Sequence, residues 1–193
     1  SSLTVSVWFK TSASGGGAFD NWAFLDFDRS EVFNVFIRPN DGKLGFSTSD
    51  APFGANINDM IGTTGGLNNG KWHHAAFVYN GTTKKIYGDG VLDATVTPTQ
   101  HGTALGTSTT RFGISGDGSE AGVFNGTGNN NYYTGQMSDL AFWTGALNDS
   151  EVALLAAGPD PASVPEPSTY VVFAGLITCF GLAGWWRKRR QAA

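Results

Sequence analysis

The segment LTVSVWFK, residues 3–10, places Leu3, Val5, Val7 and Phe9 at every second position, with polar Thr4 and Ser6 between them. A period of two makes a strand with one buried face, because successive side chains leave a strand on opposite sides. Trp8 interrupts the polar side. The same kind of short segment recurs along the chain. Residues 22–27 and 32–37 are apolar, aromatic and β-branched, and 43–47 follow the turn Pro39-Asn40-Asp41-Gly42. Residues 71–79, KWHHAAFVY, form the strongest central strand. Segments 84–87 and 91–97 flank Gly88, Asp89 and Gly90, a tight hairpin. Segments 111–115 and 136–143 supply two more. About eight short strands with glycine- and asparagine-rich connections predict an all-β antiparallel sandwich. No connection has helical length and period, which argues against βαβ units, and no repeated blade signature points to a propeller.

One short helix is predicted after the last strand. Asn148 stands as its cap and Glu151 at the third helical position, the capping-box pattern. Val152, Leu154 and Leu155 give it an apolar side, and Gly158-Pro159 end it.

Composition narrows the chemistry. A single cysteine, Cys179, excludes an intrachain disulfide and a cysteine-cluster zinc site. Residues 1–160 carry 15 acidic and 8 basic side chains, a balance of -7, while Arg187, Lys188, Arg189 and Arg190 crowd the last seven positions. An acidic domain of this kind is a poor partner for a phosphate backbone, so nucleic acid is not expected. The opening SSLTVSVWF lacks an initiator methionine and a signal peptide, and reads as a fragment or processed product.

Three segments carry a resemblance. LTVSVWFKTS (3–12), KWHHAAFVYNGTTKKIYGDGVLDATV (71–96) and TGQMSDLAFWTGALNDSEVALL (134–155) are similar to the opening strand, the Trp-His strand with its hairpin, and the closing strand with terminal helix of the laminin G-like, concanavalin A-like jelly-roll family. Residues 1–157 are assigned to that domain. The family's closing strand usually places an acidic residue directly after an apolar one; here Ser138 follows Met137, and Asp139 comes next. The resemblance also implies a strand before residue 3, in keeping with a truncated start.

Catalysis finds thin support. Glycoside hydrolysis needs two flanking carboxylates; Asp26 and Asp28 share a strand face, but the spacing equally describes solvated strand-edge residues. His73 and His74 are adjacent and face opposite ways, so they do not ligate one metal. One is expected to hydrogen-bond beside Trp72 and the other to meet solvent. The segment SGDGSEAGVFNGTGNNNYYTG, residues 115–135, is rich in the oxygen donors calcium takes. Asp117, Glu120 and Asn129 are its candidate metal ligands. Asp117, Asn125, Asn130, Tyr132 and Tyr133 are the candidate glycan contacts, with Trp8, Trp22 and Trp143 as further stacking candidates wherever they face outward. An unliganded solvent loop is the competing reading of the same residues. The resemblance implies calcium or sugar binding through sheet-edge loops, and hence a lectin-like or adhesive, non-enzymatic function. A purely structural matrix protein and a polysaccharide hydrolase are the alternatives.

The tail reads differently. Residues 158–168 form a proline-rich linker. Residues 169–186, TYVVFAGLITCFGLAGWW, hold no charge over 18 positions, about 27 Å as a helix, which predicts a transmembrane helix followed by a basic cytoplasmic tail at 187–193. Pro165-Glu166-Pro167, the apolar span and the basic cluster Arg187–Arg190 together resemble the PEP-CTERM sorting signal of Gram-negative bacteria. That resemblance implies an exosortase as processing partner, an inner-membrane intermediate, and a destination at the cell surface or in an exopolysaccharide matrix.

Overall fold

The computed structural model describes residues 2–15, 22–27, 33–50, 55–97, 112–114 and 132–158. Ser1–Gly158 forms one compact unit. Among the described residues are ten strands: β1 (Leu3–Lys10), β2 (Trp22–Phe27), β3 (Phe33–Ile37), β4 (Leu44–Asp50), β5 (Ala55–Ile61), β6 (Trp72–Tyr79), β7 (Lys84–Gly88), β8 (Val91–Val96), β9 (Phe112–Ile114) and β10 (Gln136–Trp143). They form two five-stranded antiparallel sheets. The first has the order β10-β1-β6-β7-β8 and the second β5-β4-β3-β2-β9.

The alternation seen in the sequence builds the core. Leu3, Val5, Val7 and Phe9 of β1, with Ala75, Phe77 and Tyr79 of β6, face Phe24, Phe33, Val35, Ile37, Leu44 and Phe46 of the second sheet. Aromatic rings bridge the layers: Phe9 to Phe24 at 5.0 Å, Phe24 to Phe77 at 6.3 Å and Phe46 to Phe77 at 6.0 Å between centroids. Burial of such rings, roughly 25 cal/mol per Å² of apolar area, is the main force holding the sheets together.

The helix α1 (Asp149–Ala156) starts as the pattern predicts. The Asn148 side chain accepts from the amides of Ser150 and Glu151, each at 3.0 Å, and Glu151 Oε2 accepts from the Asn148 amide at 2.7 Å. The helix lies on the outward side of the first sheet, where Val152 packs with Ala76, Val78 and Tyr87. Asp149 fastens it there, accepting from Lys85 Nζ at 2.8 Å and the Tyr87 hydroxyl at 2.6 Å.

The membrane-spanning expectation is corrected. No helix among the described residues is long and apolar enough to cross a membrane. Helix α1 has eight residues, about 12 Å against a hydrocarbon core of roughly 30 Å. Residues 159–193, which include the expected transmembrane segment 169–186, lie outside the described residues. The PEP-CTERM reading leaned on that helix. The membrane as a partner and the inner-membrane intermediate on the way to a cell surface lose their support with it, while Pro165, Glu166 and Pro167 as an exosortase element and Arg187, Lys188, Arg189 and Arg190 as a stop cluster lie outside the described residues. The physical reason is that hydropathy over 18 residues reports a preference for lipid and does not by itself report a helix.

Candidate functional site

The second sheet presents an ordered polar row on the side away from the core. Register pairs align Asp26 with Asn34, Asn34 with Ser47, and Ser47 with Asp59, across β2, β3, β4 and β5. Their neighbours in sequence, among them Leu25, Phe33, Val35, Phe46 and Met60, are core residues, so the row faces outward by alternation. The Ser47 hydroxyl donates to Asp59 Oδ1 at 2.5 Å. Asp26, Asn34 and Ser47 are buried and Asp59 is exposed, so the row meets solvent at its β5 end.

Beside it runs an apolar row, Ala23, Phe36, Gly45 and Ile61. Gly45 has a steric role here. A β-carbon at that position would collide with the Phe36 ring, so glycine lets the ring lie across β4.

The tyrosine pair separates. Tyr133 is buried against Phe24 at 5.2 Å, and its hydroxyl donates to the carbonyls of Lys10 at 2.9 Å and Gln136 at 3.1 Å. Burial raises its pKa well above the ordinary value, with the Lys10 bond as a smaller opposing effect. It is a structural clamp between β1 and β10. Tyr132 is exposed and bridges to Ala23 of β2. Asp117, Glu120, Asn125, Asn129 and Asn130 lie outside the described residues. The ends of their segment are placed, however: Ile114 pairs with Leu25 and Tyr132 with Ala23, so both are held by β2 beside Asp26. Among the described residues no three His, Cys, Asp or Glu side chains gather as a metal site.

The other candidates resolve as follows. Asp26 is buried, not solvated, and β2 lies between β3 and β9 rather than at an edge. Asp28 lies outside the described residues. His73 and His74 do face opposite ways, yet neither is free in solvent. His73 Nδ1 lies 2.8 Å from Asp89 Oδ2 and its Nε2 3.1 Å from Asn69 Oδ1. The other Asp89 oxygen accepts the His74 amide at 2.9 Å, while the Asp89 amide donates to the His74 carbonyl at 2.7 Å, closing the β7–β8 turn onto β6. The His74 ring is buried edge-on to Trp8 at 5.4 Å, and burial lowers its pKa to about 4 against a weaker pull upward from Asp89.

Two polar anchors escaped the sequence reading. Lys84 is fully buried between the sheets, and its Nζ donates to Phe46 O at 3.0 Å, Thr48 Oγ1 at 3.2 Å and Asn58 O at 2.6 Å, 5.1 Å from the Phe46 ring centre. Desolvation lowers its pKa to about 7, partly opposed by Asp59. The signal was present in KKIYG: Lys84 shares a strand face with Ile86. Asp93 collects the amides of Thr63 and Thr64 at 3.1 and 2.9 Å and both hydroxyls, tying the 62–67 loop to β8. Burial works to raise its pKa, but the bonds from Thr64 and Thr63 together hold it below the ordinary carboxylate value.

Two stacked antiparallel sheets, a Trp-His strand bonded to the Asp89 turn, and a capped helix closing the first sheet agree with a sequence-family match. The pattern of the concanavalin A-like lectin/glucanases superfamily matches residues 1–153. The chain belongs to this superfamily. Solved structures share the fold of this superfamily member. A putative carbohydrate binding protein from Bacteroides ovatus ATCC 8483 superposes with a TM-score of 0.60 at 20% identity, over 84% of this chain and 43% of that one. The CBM40 of a Ruminococcus gnavus IT-sialidase gives 0.61 at 13% identity, over 80% and 82%. A heptameric SAP-like pentraxin from Limulus polyphemus gives 0.58 at 20%, over 80% and 69%. The chain thus spans less than half of the Bacteroides protein. No curated protein sequence matches it. The name of the Bacteroides protein gives carbohydrate binding as that protein's role.

Proposed function

We propose that this domain is a non-catalytic carbohydrate-binding module. The observation that carries the reading is the row Asp26, Asn34, Ser47 and Asp59 beside the Phe36 ring, on the outward side of one sheet of a lectin-type sandwich. At the open end of the row the exposed Asp59 carboxylate, which accepts the Ser47 hydroxyl, offers hydrogen bonds to a polyhydroxylated ligand, while Asp26, Asn34, Ser47 and Phe36 are buried and shape the sheet beneath it. The named binding role of the Bacteroides neighbour supports the same ligand class. Tyr132, exposed beside Ala23, adds an aromatic side chain at the β2 end. Asp117, Asn125 and Asn130 as glycan contacts, and Asp117, Glu120 and Asn129 as ligands of a calcium ion, belong to this proposal on the strength of their oxygen-rich sequence and of the two anchored ends of their segment.

The test is binding of the full chain to a panel of neutral and acidic polysaccharides by affinity electrophoresis, with calcium and then with a chelator. Binding to at least one glycan, weakened about tenfold by Asp59→Ala, supports the reading. Retention of binding in the chelator would remove calcium from it. No binding to any member under either condition would overturn it.

A further inference from the structure

The outward side of the first sheet is divided. Helix α1 covers one end, through Val152 against Ala76, Val78 and Tyr87. At the other end the outward residues of β1, β6 and β10 carry no helix among the described residues. The register pairs Trp8 with His74 and with Ser138, and Lys10 with Trp72 and with Gln136. Val7 and Phe9 are core residues, so Trp8 and Lys10 face outward, and by the same alternation so does Trp72. Trp8 and Trp72 are therefore diagonal neighbours on one face, a separation of roughly 7–8 Å in such pairs. Both are half-buried, and the buried His74 ring packs edge-on to Trp8.

The rim is polar. Gln136 is exposed and Ser138 half-exposed on β10, an edge strand. Beside Ser138 the β1–β10 register shifts between Ser6 and Trp8, and Asp139 takes a left-handed φ of 51°. A bulge of this kind bends an edge strand and re-aims its side chains. Here it leaves the Asp139 carboxylate exposed, with Ser138 Oγ donating to its Oδ2 at 3.0 Å. Lys10, a cation, and Asp139, an anion, offset each other at the rim of the two indoles. That charge balance suits a neutral partner with an apolar face and hydroxyl edges. It suits neither a polyanion nor an extended apolar peptide.

We infer that the Trp8–Trp72 platform, rimmed by Lys10, Gln136, Ser138 and Asp139, is a second saccharide-binding surface for neutral pyranose chains, on the opposite sheet from the Asp26–Asp59 row. The inference rests on the carbohydrate reading above and extends it. A domain with glycan surfaces on both sheets bridges two polysaccharide chains.

Three variants test it in the full chain: Trp72→Ala, Trp8→Ala, and Ser138→Arg, which lays a bulky side chain over the platform without removing core atoms. Each is read by affinity electrophoresis on the neutral polysaccharide that wild type binds, by turbidity of the mixture, and by thermal unfolding. The expected result is a loss of turbidity for all three and about a tenfold weaker affinity for Trp72→Ala and Ser138→Arg with the melting transition retained. Wild-type binding and turbidity left unchanged by Trp72→Ala and Ser138→Arg would overturn the platform while leaving the carbohydrate reading intact. Absence of wild-type binding to every neutral glycan would overturn the platform, and absence of binding to the acidic glycans as well would overturn both.

Discussion

The two sheets share one core but end in opposite outward surfaces. The second sheet sets a carboxylate, an amide and a hydroxyl, all buried, in a line beside Phe36. The first sets a helix over one end and two half-buried tryptophans at the other. Buried polar side chains are expensive unless they are paired, and on the second sheet's outward side the Ser47–Asp59 bond supplies one such pairing beside the fully buried Phe36 ring. The first sheet's outward side is held by apolar packing and by the Asp149 fastening. Truncation should therefore cost more on the second sheet. Phe36→Ala empties the space over Gly45 and is expected to lose about 3–5 kcal/mol, whereas Val152→Ala under the helix should lose roughly 2 kcal/mol. Urea unfolding of both variants checks the order. Equal losses would mean that the helix side is as tightly organised as the polar side.

A second contrast is between two buried bases. Lys84 sits between the sheets and His74 on the outward side of the first, and desolvation depresses both, to about 7 and about 4. The unfolded lysine keeps its proton up to about 10.5, so between about pH 7 and 10.5 the unfolded state binds more protons and stability rises with pH. Below about 7 both states are protonated and the burial penalty is present in full. The unfolded histidine takes its proton near 6.5 and the folded one near 4, so stability falls as pH drops through that window. The alkaline limb is the larger, on the order of 5 kcal/mol against about 3 kcal/mol for the acid limb. Lys84→Met should flatten the rise between pH 7 and 9.5 in urea titrations, and His74→Phe should shrink the loss between pH 6.5 and 4. A Lys84→Met protein that still gained stability with wild-type slope would show that the ammonium is not the titrating group.

Most strands were legible because their inward residues alternate, as in Leu3, Val5, Val7 and Phe9. Strand β5 was not. Its sequence ANINDMI is poor in strand formers, and its pairing with β4 stabilises it where propensity does not. The helix was legible down to its cap because the capping box is a local signal. The site was less so. Tyr132 and Tyr133 look alike in sequence, yet one is exposed and the other clamps Lys10 to Gln136, a distinction made only by contact with β1 and β2. The polar row needed register across four strands, which no single segment encodes. Lys84 ran against the expectation that lysine is exposed, and only its shared face with Ile86 hinted otherwise.

The smallest predicted effect probes the helix that makes the first sheet different. Asn148 Oδ1 accepts two otherwise unpaired amides at the start of α1, and Glu151 returns a bond to the Asn148 amide. Asn148→Ala removes the acceptor and leaves those amides to water, at a cost of about 1 kcal/mol. Because Asp149 follows directly and holds Lys85 and Tyr87, the loss should also loosen the helix locally. Hydrogen exchange should then quicken at Val152 and along α1 while β3 and β4 keep their protection. The fall in melting temperature should be far smaller than for Phe36→Ala. If exchange quickened equally in both sheets, α1 would be part of the cooperative core, and the division between a helix-covered and a polar outward side would not extend to stability.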